Sequence, residues 1–150
     1  MKILMVCLGN ICRSPLAEGI MRQKIKERKL DWEVDSAGTG AWHVGELPDP
    51  RSIEVAKINN IDITYQSARQ FNRDDFHEFD LILTMDAMNF QNVMSMAREE
   101  QKEKVHMIMN FVSPGRNEQV PDPYYGERGF DLVFEMLEEA CEAIVKEKTG

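Results

Sequence analysis

Long apolar runs are missing from this sequence. No stretch approaches the ~18 residues that a membrane span requires. Lys2 is followed by only a few apolar residues before Gly9-Asn10, too few for the core of a signal peptide. Cysteine is scarce as well: three in 150 residues, an odd number and too few for a disulfide scaffold. Reduced thiols and a cytoplasmic location are the expectation. Basic residues are outnumbered, 18 Lys+Arg against 26 Asp+Glu, for a net charge of −8. That deficit argues against nucleic acid as a partner, since phosphates must be met by a basic surface. It argues against an anionic membrane for the same reason. Histidine is limited to His43, His77 and His106, which have no partners at ligand spacing, so neither a metal nor another cofactor is expected. What remains is ordinary. With 43% hydrophobic and 29% charged residues the chain reads as globular, and its length fits one domain over 1–150.

Hydrophobic periodicity predicts strands alternating with helices. Lys2–Val6 is a short, almost continuously apolar segment, as expected of a strand buried on both faces of a parallel sheet. Ser14-Pro15 opens a helix, with Ser14 as N-cap, and Leu16, Ala17, Ile20, Met21 and Ile25 continue at helical spacing to about residue 28. Glu18 lies near the positive end of that helix dipole. Trp32–Ser36 alternates as a second strand and ends at Gly38-Thr39-Gly40. Asp49-Pro50 starts a second helix, Asp80–Met85 reads as a third strand, and Asp86 to about Arg98 reads as a helix. Lys104–Met109 is a fourth strand, the run 99–104 before it a solvated helix end and loop. Phe130–Lys146 carries strongly helical spacing that includes Cys141 as a core residue. Such alternation implies right-handed βαβ units around a parallel sheet.

The first loop carries the chemistry. Cys7-Leu8-Gly9-Asn10-Ile11-Cys12-Arg13-Ser14 joins the first strand to the first helix, at the sheet edge where α/β proteins bind ligands. A loop that feeds a helix N-terminus can turn its N–H groups onto an anion, assisted by the helix dipole. Gly9 and Asn10 are the residues best able to take the left-handed conformations of such a nest. Arg13 supplies a planar fork for two phosphate oxygens. Cys7 puts a sulfur at the bottom of the cradle, where the same donors would stabilise its thiolate. The Gly-Lys-Ser/Thr of nucleotide-binding loops is absent. A nucleophile inside the anion cradle suits attack on the phosphorus of a monoester and a cysteinyl-phosphate intermediate.

A proton donor for the leaving group has to come from elsewhere in the chain. Pro-Asp-Pro occurs twice, at 48–50 and 121–123. Asp49 has a structural task before it, capping the second helix. Asp122 has no helix directly behind it and sits on a stiff mount between two prolines. Spacing alone leaves open that Asp122 merely makes a turn.

Val6–Pro15 resembles the signature of the low-molecular-weight protein tyrosine phosphatases. Ser36-Ala37-Gly38-Thr39, Pro48-Asp49-Pro50-Arg51, Ala68-Arg69-Gln70, Thr84-Met85-Asp86 and Asp122-Pro123-Tyr124-Tyr125-Gly126 resemble that family's pattern in order, over essentially the whole chain. The resemblance implies a flavodoxin-like three-layer sandwich with a four-stranded parallel sheet and the phosphate-binding loop after the first strand. It implies a metal-independent phosphatase of phosphotyrosine proteins or small aryl phosphates. Cys7 would be its nucleophile, Arg13 the phosphate clamp and Asp122 the general acid. Leu8, Gly9, Asn10, Ile11, Cys12 and Ser14 then bind substrate, with Trp42 and Tyr124 as walls stacking on its ring. Ser36 resembles a residue of the network that holds Asn10. Asp86 resembles a carboxylate near the active-site arginine, although a plain helix cap fits it equally. Gln66 is a departure, standing where several relatives have histidine.

Two other functions fit a loop of this kind. An arsenate reductase on the same fold needs relay cysteines after the third strand, and Thr84–Arg98 contains none. A non-catalytic phosphoryl-binding module would not need Cys7, Arg13 and Asp122 together. Relatives acting on phosphoarginine carry Thr at the position of Ile11, where a branched apolar side chain suits an aromatic ring better.

Overall fold

Four parallel strands form the centre of the computed structural model, which describes residues 1–123 and 129–150. They are β1 (Lys2–Cys7), β2 (Glu33–Gly38), β3 (Leu81–Thr84) and β4 (Val105–Met107), in spatial order β2-β1-β3-β4. β1 pairs with β2 from Lys2↔Glu33 to Cys7↔Gly38, and with β3 from Ile3↔Leu81 to Val6↔Thr84. A strand flanked on both edges and covered on both faces has to be apolar throughout, and Ile3 to Cys7 are all buried. The helices are α1 (Arg13–Glu27), α2 (Pro50–Ile58), the single turn α3 (Asp75–Glu78), α4 (Ala87–Met96) and α5 (Gly129–Thr149).

Alternation along β1 builds three layers. Ile3, Met5 and Cys7 pack with Leu16 and Ile20 of α1, Val55 of α2 and Leu137 of α5. Leu4 and Val6 point to the other face, against Phe76 of α3 and Val93 of α4. This is the flavodoxin-like layering expected from the sequence. The strand order reverses between β1 and β3, so the crevice beyond their C-terminal ends is the natural ligand site.

Several boundaries differ from the sequence reading, each for a tertiary reason. β4 stops at Met107, and Ile108–Phe111 continues as a 3-10 turn. A short buried apolar run has the same composition in either state. Glu99–Lys104 is a 3-10 helix, not a solvated helix end and loop, and Gln101 within it is buried, its Oε1 accepting from Arg98 N at 2.9 Å. α1 opens at Arg13 with Cys12 in the cap position and no side-chain cap, so Ser14 is not the N-cap. Its hydroxyl has other partners, described below. Asp49 does cap α2, accepting from Arg51 N at 2.8 Å. Cys141 is fully buried in the core as its spacing predicts, and burial pushes its thiol pKa up, which keeps it protonated and inert.

α1 and α5 are tied by charge as well as by packing. Lys24 Nζ donates to Glu138 Oε1 at 2.6 Å and to Glu142 Oε2 at 3.1 Å, and Arg28 also pairs with Glu142. Burial pulls the Lys24 ammonium pKa down, but these hydrogen bonds outweigh it and the net shift is upward. The hydrogen bond from Lys24 holds Glu142 below the usual carboxylate value. A carboxylate whose folded pKa is depressed contributes stability above its unfolded value, about 4.3, and loses it as pH falls through the folded value. Urea unfolding should therefore show the wild type losing stability below about pH 4.3. Lys24→Met should flatten that decline while costing roughly 0.5–1 kcal/mol at neutral pH, the scale of a partly exposed pair. A Lys24→Met curve parallel to the wild type would remove this pair from the acid transition.

Candidate active site

The loop from Cys7 to Arg13 wraps the C-terminal end of β1. Asn10 takes the left-handed conformation at φ 58°, as foreseen for this loop, whereas Gly9 is not among the residues with positive φ. Glycine at position 9 answers a close approach: a Cβ there would stand 3.0 Å from Cδ2 of the His43 ring. Gly9 and Ile11 donate their N–H groups to nothing among the described residues. Both line a cleft of about 100 Å³ that also contains Cys7, Arg13, Trp42 and Asp122. Leu8 and Cys12 line the same cleft. The absent side-chain cap on α1 fits this arrangement, because a helix N-terminus left uncapped keeps its N–H groups for an anion.

Cys7 lies in the wall of that cleft, nearly fully buried. Its Sγ accepts from Asn10 N at 3.3 Å and lies 3.0 Å from Ser14 Oγ. Ser14 Oγ already accepts from Asn10 Nδ2 at 2.8 Å, so its own proton is free to point at the sulfur. Asn10 is the hub. Its Nδ2 also donates to Ser36 Oγ at 2.9 Å, as expected, and its Oδ1 accepts from Arg69 N at 3.0 Å. The backbone N–H of Arg69 thus fixes which way the amide faces. Arg69 is itself anchored through its guanidinium, bidentate on Asp75 and reaching Asp35.

Behind Ser36 the network continues to residues whose role the sequence did not show. Ser36 Oγ donates to Glu18 Oε1 at 2.7 Å, and Tyr65 OH donates to Glu18 Oε2 at 2.7 Å. Glu18 is 4% exposed. Burial pushes its carboxyl pKa up, opposed by the hydrogen bonds from Tyr65 and Ser36. Glu18 therefore holds the loop in place, beyond favouring the helix dipole. Gln66, the departure noted in the sequence, is connected to this network. Its Nε2 donates to Pro15 O at 2.9 Å, and its Oε1 lies 3.4 Å from Ser36 Oγ.

Arg13 is 6% exposed and is aimed by one nitrogen. Nη1 donates to Asp86 Oδ2 at 2.8 Å and to Val120 O at 3.0 Å. Asp86 fills both roles considered for it, since its Oδ1 accepts from Asn89 N at 2.8 Å and caps α4. Val120 in turn donates its N–H to Met85 O at 2.8 Å, just past β3. The Asp122 loop is therefore hung from the same arginine that lines the cleft.

Trp42 stands at the mouth, 73% exposed, its ring against Gly40, where any Cβ would clash. His43 lines the cleft too, its Nδ1 2.7 Å from Glu46 Oε2. Its place in the cleft is not legible in the sequence, because only the folded loop brings its ring beside Gly9. Tyr124 lies outside the described residues. Among the described residues no group of three or more His, Cys, Asp or Glu is placed to hold a metal ion, and no helix is long and apolar enough to cross a membrane.

Comparison with known proteins points to one family. A family model described as low molecular weight phosphotyrosine protein phosphatase matches residues 2–149. A protein of Schizosaccharomyces pombe named low molecular weight phosphotyrosine protein phosphatase is 44% identical over 128 residues, covering 83% of this chain and 81% of its own. The crystal structure of a protein tyrosine phosphatase from Entamoeba histolytica superposes with a TM-score of 0.93 at 38% identity, over 99% of this chain and 97% of that one. A Drosophila arginine phosphatase superposes with a TM-score of 0.92 at 33% identity, over 100% of this chain and 99% of that one.

Proposed function

The chain belongs to the low molecular weight phosphotyrosine protein phosphatase family, and from that membership we propose that it hydrolyses phosphotyrosine in proteins, or small aryl phosphates, through a cysteinyl-phosphate intermediate. The observation that carries the reading is Cys7 Sγ, which lines the cleft with Arg13 and Asp122 and is met by donors from Asn10 and Ser14. In the first step the Cys7 thiolate attacks phosphorus while the phosphorus–phenol oxygen bond breaks. The leaving oxygen keeps the bonding pair and takes a proton from Asp122. Arg13 and the N–H groups of the loop stabilise the charge on the equatorial oxygens. In the second step the Asp122 carboxylate takes a proton from water as the water oxygen attacks phosphorus. The phosphorus–sulfur bond breaks, releasing phosphate and the thiolate. Leu8, Ile11 and Cys12 border the phosphate, while Trp42, with Tyr124, would face the ring of the substrate. No step calls for a metal. The three free thiols and the charge of −8 support a cytoplasmic setting and a protein substrate over nucleic acid or membrane.

The test is a rate comparison on one peptide phosphorylated as phosphotyrosine, phosphoserine or phosphoarginine, with a chelator present. Phosphotyrosine should be preferred by at least about 10²-fold over phosphoserine, the scale of a lost near-attack geometry. A serine stem is too short to bring its phosphate from the surface to Cys7. Comparable rates on phosphoarginine would reassign the substrate and remove the role given to Ile11.

A further inference from the structure

The segment that carries Asp122 is tied at both ends, and the second tie uses residues for which the proposed reaction has no need. Upstream it hangs from Val120, between Met85 O and Arg13 Nη1. Downstream the chain leaves at Pro123 and returns at Gly129 so closely that a Cβ on Gly129 would stand 2.1 Å from Pro123 O, a contact only glycine permits. Phe130 follows within α5 and carries the Arg51 guanidinium over its ring, with Cζ 4.8 Å from the centroid. Arg51 is oriented in its turn. Its Nε and Nη2 donate to Oδ1 and Oδ2 of Asp49, each at 3.0 Å, fork against fork. Asp49 then reaches the other half of the cleft, its N–H donating to Ile11 O at 2.8 Å.

We propose that Arg51, held by Asp49 and seated on the Phe130 ring, is a positioning residue for Asp122, coupling the start of α5 to the phosphate-binding loop. The inference rests on the reading of Asp122 as general acid. Proton transfer needs the carboxyl within about 2.6–3.2 Å of the leaving oxygen. The hydrogen bonds of Cys7 and Arg13 go to Asn10, Ser14, Asp86 and Val120, and the backbone bond from Asp49 N–H to Ile11 O does not use the Arg51 side chain, so removing that side chain should leave the nucleophile and the phosphate clamp in place. Loosening this tie should therefore weaken proton delivery and spare the rest of the site.

Leaving-group dependence isolates that effect from a general structural one. The experiment measures kcat/KM, which reports the step that breaks the phosphorus–oxygen bond, on aryl phosphates whose phenols range from acidic to basic. Wild type, Arg51→Met, Arg51→Lys, Phe130→Leu and Asp122→Asn are compared, with inorganic phosphate as competitive inhibitor and thermal unfolding of each. Arg51→Met should lose about tenfold with phenyl phosphate, less than the ~10² that a full ångström of misplacement can cost, and change little with nitrophenyl phosphate. Phe130→Leu should tilt the series the same way, and Arg51→Lys should restore part of the loss, because an ammonium keeps the ring contact but not the fork. Inhibition by phosphate should stay close to wild type in all three. A uniform loss across the phenols, or no loss, overturns the positioning role. If Asp122→Asn tilts the series and Arg51→Met and Phe130→Leu do not, the inference fails while the acid assignment stands. If Asp122→Asn itself gives no tilt, the acid assignment fails and takes the inference with it.

Discussion

Cys7→Ser should abolish turnover, with a loss of roughly 10⁴-fold or more, the scale seen when the nucleophile of a hydrolase is removed. The side chain changes by one atom, and the cradle has no reason to collapse. Asn10 N and Ser14 Oγ can donate to an oxygen as readily as to sulfur. A serine hydroxyl does not ionise near neutral pH, and among the described residues the hydrogen-bond partners at position 7 are an amide N–H and another hydroxyl, neither of them a general base. Attack on phosphorus then lacks its electron pair. Phosphate binding should survive, because Arg13 and the loop N–H groups are untouched, so phosphate should still raise the thermal midpoint of the variant. Rapid quenching of the wild type with an aryl phosphate should trap phosphate on the Cys7 peptide by mass spectrometry. Substantial residual activity in Cys7→Ser would end the covalent mechanism.

What the sequence discloses about this chain is mostly local. β1, the loop and α1 are legible because an apolar run, Gly9-Asn10 and the start of an apolar helical pattern follow one another within fifteen residues. The mistaken cap at Ser14 is instructive. Propensity favours Ser before Pro at a helix start, but the hydroxyl is taken by Asn10 and Cys7, leaving the helix end uncapped beside the cleft. The support of the loop is not legible, because it is assembled across the fold. Glu18 meets Ser36 and Tyr65, 18 and 47 residues away. Arg13 meets Asp86 and Val120, 73 and 107 residues away. Nothing in the periodicity of α1 separates a glutamate at the dipole from one buried in a hydrogen-bond network.

Asp122→Asn should lower kcat on phosphotyrosine by roughly 10²–10⁴, the usual contribution of general acid–base catalysis. The amide keeps the size and the prolines on either side, so the loop should stay where Val120 and Gly129 hold it. Only the proton is lost. A tyrosine oxygen leaves poorly as a phenolate and needs that proton, whereas a nitrophenolate is stable enough to leave without it. The loss on nitrophenyl phosphate should accordingly be smaller, and a burst of nitrophenol should precede slow turnover, because hydrolysis of the thiophosphate still wants a base to activate water. The second Pro-Asp-Pro provides the internal control. Asp49 caps α2 and holds Arg51; asparagine keeps a capping oxygen but not the charged fork, so Asp49→Asn should change stability little and show only the roughly tenfold, leaving-group-dependent loss expected of Arg51→Met. Should Asp49→Asn instead carry the large kinetic loss, with Asp122→Asn merely less stable, the proton donor would be Asp49 and the cleft would have to be read from the α2 side.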